Sequence, residues 1–166
     1  MKRYAILIGI LLIVFAAVAA WMLYFSPGAR VRRCVRVMAA AFEKKDADAI
    51  MSHVSKEYND PAANTYELLD TLLRNLAIPN FEEIDCEIEE IRVQMQGDGT
   101  ALAAVKGRIS YKVKGMPKRD KFTDESPLVI RFKKEGREWR VMSFDNLGIN
   151  VNDMMQGFNE SLKTFF

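Results

Sequence analysis

A chain of 166 residues has room for one ordinary folded domain and a short appendage, and its 24 Lys plus Arg against 22 Asp plus Glu leave a formal net charge of only +2. Lys2 and Arg3 are the only charges before Arg30, so removing them leaves 22 basic against 22 acidic side chains, without the positive field that nucleic-acid binding demands. With two cysteines, Cys34 and Cys86, and one histidine, His53, the usual Cys/His zinc sets cannot be assembled, and neither a metal nor another cofactor is expected.

Residues 4–25, YAILIGILLIVFAAVAAWMLYF, hold no charged residue and no amide side chain. As a helix they would measure roughly 33 Å, a little more than the roughly 30 Å of bilayer hydrocarbon, so one crossing with slight tilt is predicted. Tyr4, Gly9, Phe15, Trp21, Tyr24 and Phe25 all fall in that span, with Trp21 and Tyr24 suited to one interfacial belt and Tyr4 to the other. Ala17-Val18-Ala19 resembles a signal-cleavage site, but the apolar run continues through Phe25, which argues for an uncleaved anchor. Lys2 and Arg3 on one side nearly balance Arg30, Arg32, Arg33 and Arg36 on the other; a short N-terminus before a signal-like core favours the orientation that places the domain outside the cytoplasm. The expected organisation is an anchor and exit over residues 1–29, a domain over 30–149 and a tail over 150–166, in a single-pass protein of the cell membrane. Outside the cytoplasm a Cys34–Cys86 disulfide is open, although two small buried apolar side chains are the simpler reading.

After the anchor, Val31, Cys34, Val35, Met38 and Phe42 recur at helical spacing and predict an amphipathic helix over 30–44. Asp46 is a good N-cap for a second, short helix over 46–55 burying Ile50, Met51 and Val54. A third helix is expected to start at Asp60-Pro61 or at Asn64, to bury Tyr66, Leu69, Leu72, Leu73 and Leu76, and to end before Pro79.

The period then changes. In 81–96 the apolar residues Ile84, Cys86 and Ile88 are even and Ile91, Val93 and Met95 odd, which is what one inserted residue produces in a strand, so a β-bulge is predicted at Glu89-Glu90. Gly97-Asp98-Gly99 is a turn, and the next strand alternates from Ala101 to Val113, with Gly107 suited to a bend. Residues 121–133 and 138–145 read as two further strands joined by a hairpin at Lys134-Glu135-Gly136-Arg137. The predicted class is α+β: three helices packed on the concave face of a curved four-stranded antiparallel sheet.

Residues 42–50, Phe-Glu-Lys-Lys-Asp-Ala-Asp-Ala-Ile, followed by Val54, Tyr58 and Asp60, resemble the opening of nuclear-transport-factor-2-like domains (also called SnoaL-like or cystatin-like cones). The closing stretch 132–141, with Gly136 shortly before Trp139, resembles that superfamily's last hairpin. The resemblance covers roughly 30–149 and implies a cone with a cavity. In the tail, Val151, Met155, Phe158, Leu162 and Phe166 fall on one helical stripe, which predicts an amphipathic helix closing the cone or docking elsewhere.

Enzymes of that superfamily place an acid, a histidine or tyrosines in the cavity, so the resemblance singles out His53, Tyr58, Asp60 and Tyr111, with Tyr66 and Asp145 behind them. The residues themselves give simpler roles: a helix-edge His53, a capping Asp60 beside a packed Tyr58, and Tyr111 without a partnered acid. Acidic residues crowd 82–90 and basic ones 112–121, either as solvated faces or as a surface for a protein partner. The sequence therefore predicts a non-enzymatic, membrane-anchored domain that binds a protein or a small apolar ligand, with a homodimer also open. The alternative is a membrane-tethered isomerase, dehydratase or hydrolase acting on an apolar small molecule.

Overall fold

Ser26 opens the first helix: its hydroxyl accepts the Ala29 N–H at 3.2 Å, and Pro27 takes the first helical position, where a missing N–H costs nothing. In the computed structural model, which describes residues 12–15, 21, 26–115, 120–122 and 126–145, this helix α1 is Pro27–Glu43. It turns Val31, Cys34, Val35 and Ala41 inward. Lys45 adopts φ +59°, the Asp46 N–H reaches back to Ala41 O at 2.9 Å, and the Asp46 carboxylate caps the next helix through the Ala49 N–H at 2.9 Å. One aspartate thus ends α1 and starts α2 (Ala47–Ser52).

The third helix differs from expectation at both ends. Its cap is Thr65, neither Asp60 nor Asn64, and α3 (Tyr66–Leu72) runs on through a π-helical stretch Leu73–Ala77 into the single turn α4 (Ile78–Asn80), so Pro79 sits inside the last turn instead of beyond it. The π-helical winding bonds the Ile78 N–H to Leu73 O, and the wider turn accommodates a residue that cannot donate.

The sheet follows the path β1 (Phe81–Met95), β2 (Thr100–Val113), β4 (Leu128–Glu135), β5 (Glu138–Phe144), all antiparallel, with β3 (Asp120–Phe122) also paired to β2. The predicted bulge is present, because the register slips between Ile88 and Glu90 and leaves Glu89 unmatched. Gly107 lies opposite Ile88, and a Cβ on it would stand 2.4 Å from Glu87 O. Glycine is thus what lets the bulged backbone come this close. The stretch 121–133, expected as one strand, is two: between the pairs Phe122–Ile109 and Leu128–Val105 lie five residues, 123–127, against three, 106–108. Pro127 cannot donate to a ladder at that junction. Gly136, at φ +62°, makes the two-residue hairpin from Glu135 to Glu138.

Phe132, Val141, Val31 and Val54 are fully buried, and with Ile50, Met51, Trp139 and Ile130 they form the core between the helices and one sheet face. Cys34 is buried with its thiol toward Trp139 O, Cys86 is half-buried, and the two thiols are free. The tail lies outside the described residues, as do Tyr4, Gly9, Tyr24, Phe25 and most of the proposed anchor. Among the described residues no helix is long and apolar enough to cross a membrane.

Candidate functional site at the β5 edge of the sheet

Beyond α2 the chain runs along the outer edge of β5. His53 O accepts the Val141 N–H at 2.8 Å, the Ser55 N–H donates to Val141 O at 2.9 Å, and the Asn59 N–H donates to Met142 O at 3.0 Å. These bonds satisfy edge groups that would otherwise face water, and they aim the alternate side chains Val54 and Tyr58 into the core. Tyr58 is 3% exposed and its ring packs against Phe144 with centroids 5.9 Å apart.

A phenol buried to that degree needs a partner, and its hydroxyl donates to Asp60 Oδ2 at 3.0 Å. The same carboxylate accepts the Ala62 N–H at 3.0 Å, the Asn64 N–H at 2.9 Å and the Asn64 side-chain amide at 2.7 Å. Residues 60–64, Asp-Pro-Ala-Ala-Asn, therefore form a tight loop wound round one carboxylate, with Ala63 at φ +61° and the chain closed by pairing of Asn59 with Thr65. Burial, then the Asp60 charge and its acceptance of the hydroxyl hydrogen, push the Tyr58 phenol above its ordinary value of 10. Asn64 Oδ1 is buried and has no hydrogen-bond partner among the described residues.

Outside this loop is an open groove of about 320 Å³, lined by Glu57, Asn59, Asp60, Arg131, Met142 and Asp145 among others. Its charges are matched locally: Arg131 reaches Asp145 at 2.9 Å and Lys133 reaches Glu57 at 2.6 Å. Burial raises the Asp145 carboxyl, but the Ser143 hydroxyl and the Arg131 guanidinium outweigh it, and the net shift is downward.

The sequence candidates divide as follows. Tyr58 and Asp60 are in contact. His53 is half-buried beside Glu138 and Arg140; burial first, then Arg140, lower its imidazole below 6.5 against an opposing pull from Glu138. Tyr111 packs edge-on against Phe81 at 5.2 Å. It lies eight residues further along β2 than Ala103, which pairs with Ile130, itself paired with Phe144; that is roughly 26 Å of strand path from the Tyr58 contact. Asp145 directly follows β5, its N–H donating to Val129 O at 2.8 Å, and Tyr66 carries the Lys56 ammonium 3.6 Å above its ring. The part of Asn64 in holding Asp60 was missed as a side-chain partnership, although Asp-Pro followed by Asn is a loop signature that could have suggested it.

Acids of the run 82–90 meet basic residues of β2. Glu82 pairs with Lys112 at 2.7 Å, and Glu89 with Arg108 at 3.2 Å, across the β1–β2 ladder. This places their charges on a solvated face whose exposed pairs contribute little individually.

No family model and no curated protein matches the chain by sequence. Its fold is nevertheless that of nuclear-transport-factor-2-like domains. A superfamily protein of that name from Salmonella enterica serovar Typhimurium superimposes with a TM-score of 0.59 at 10% identity, covering 69% of this chain and 85% of the other. The hexachlorocyclohexane dehydrochlorinase LinA-type3 from Novosphingobium barchaimii gives 0.58 at 8% identity, covering 70% and 82%. A candidate dehydratase of the same superfamily from Streptomyces avermitilis gives 0.58 at 15% identity, covering 71% and 92%. At such identities the likeness concerns the fold alone.

Proposed function

We propose that the protein is a single-pass, membrane-anchored cone domain that binds a protein or a small apolar ligand in the cell envelope without catalysing a reaction. The observation that carries the non-catalytic part is the state of Asp60: four donors already occupy its two oxygens, and the loop it holds depends on them. A general base needs a free lone pair aimed at a substrate, and His53 and Tyr111 lie on other elements. For the membrane part, the support is the uncharged run 4–25 together with the state of its described residues. Leu12, Ile13, Phe15 and Trp21 are helical and 64–74% exposed, an apolar surface that water does not favour.

Fractionation of cells making the full chain tests the anchor. The intact, uncut polypeptide is expected in the membrane pellet after alkaline washing and in solution only with detergent. Recovery of that intact polypeptide in the aqueous supernatant would overturn the reading. Mass spectrometry of proteins and lipids retained by the detergent-purified chain tests the binding role.

The second reading, a membrane-tethered dehydratase, isomerase or hydrolase, is favoured by the buried Tyr58–Asp60 contact and by structural neighbours that include a dehydrochlorinase. It requires an apolar substrate whose turnover is abolished by Tyr58→Phe and Asp60→Asn in chains that still fold.

A further inference from the structure

The outer face of α1 is cationic from Arg30 to Arg36. Arg30, Arg33 and Arg36 are exposed, Lys44 follows past the helix end, and their spacing puts them on one stripe with Val37, which is 42% exposed. The opposite face, with Val31, Cys34 and Val35, is buried against the sheet. No Asp or Glu occurs in the first 42 residues of the chain, so α1 carries no acid before Glu43, whose carboxylate accepts the Cys86 N–H at 2.9 Å. Among the described residues, Arg30 and Arg36 have no ion-pair partner. Arg30 stands in the first turn of a helix whose dipole disfavours positive charge there, so helix stability does not explain it.

We infer that this stripe rests on the anionic headgroups of the bilayer. The inference depends on the anchor reading above and deepens it. Helix α1 starts at Pro27, two residues past the end of the apolar run, so a chain leaving the hydrocarbon enters α1 at headgroup level. With α1 lying along the surface, its arginines meet lipid phosphates and Val37 meets the acyl boundary, while the sheet stands on the other side of the helix. Arginine suits this position because its planar fork binds phosphate oxygens in pairs.

The test places a fluorophore on Val37→Cys in a Cys86→Ser background of the full chain; the same background without the Val37 change measures labelling at buried Cys34. The protein is reconstituted into vesicles of phosphatidylcholine alone or mixed with phosphatidylglycerol, each carrying a headgroup-attached quencher. Expected are flotation with both vesicles and quenching several-fold stronger in the anionic ones, lost in about 0.5 M salt and in the Arg30→Gln/Arg33→Gln/Arg36→Gln variant with an unchanged circular dichroism spectrum. Flotation with both and equal quenching would overturn the stripe alone. Failure to float with either would overturn the anchor and the stripe with it. Preferential capture of duplex DNA over anionic vesicles by the same arginines would also refute the assignment.

Discussion

Replacing Gly107 by alanine isolates the contact on which the bend of the sheet depends. The added Cβ would meet Glu87 O at 2.4 Å and Ile88 Cα at 3.3 Å, both backbone atoms of the neighbouring strand, so no side chain can swing aside to relieve it. Forcing an extra methyl into a filled site costs about 1–3 kcal/mol, while alanine regains about 0.5–1 kcal/mol over glycine in conformational entropy. The net expectation is a loss centred near 1 kcal/mol and reaching about 2.5 kcal/mol, the centre being roughly 3–6 °C in melting temperature for a domain of this size. Thermal and urea unfolding of the full chain in mild detergent would measure it, with Lys106→Ala, an exposed neighbour, expected within about 0.5 kcal/mol of wild type. A Gly107→Ala protein as stable as the parent would show that β1 does not approach β2 this closely at the bulge, and the account of the bend would fail.

His53 is the one histidine of the chain, and its imidazole is held below its ordinary 6.5 by burial. Because the folded value is depressed, the stability it contributes is complete above pH 6.5 and declines as pH falls through the folded value. The urea midpoint should therefore drop from pH 7.5 to 5.5 and drop less in His53→Asn; a midpoint that rises on acidification contradicts the burial argument. Asp60→Ala should destabilise by about 1–3 kcal/mol, since it leaves the buried Tyr58 hydroxyl and loop amides without their acceptor. Ultraviolet titration should show the Tyr58 phenol titrating lower in that variant yet still above 10, because burial persists; no change would argue against the contact. Ala63→Gly should gain about 0.5–1 kcal/mol by relieving the left-handed residue at φ +61°, read as a raised melting temperature, and a loss would mean that this loop is not strained.

What the sequence determined by itself was everything governed by near neighbours. The α1 stripe, the Asp46 cap, the slip at Glu89, the Gly97–Gly99 turn and the last hairpin each express a local period or a local backbone requirement, and all are present. The fold class followed from their order. Only the tertiary structure decided where the stretch 121–133 would break and that the segment after His53 would border β5, since each depends on groups far away in the chain, whereas Pro79 is tolerated through the π-helical winding just before it. The candidate site belongs to this second kind. Asp60 reads equally well as a helix cap, a base or a loop anchor until its four donors are in place. All four come from residues within four positions of it, but the burial that commits Tyr58 comes from Phe144, on a strand more than eighty residues downstream.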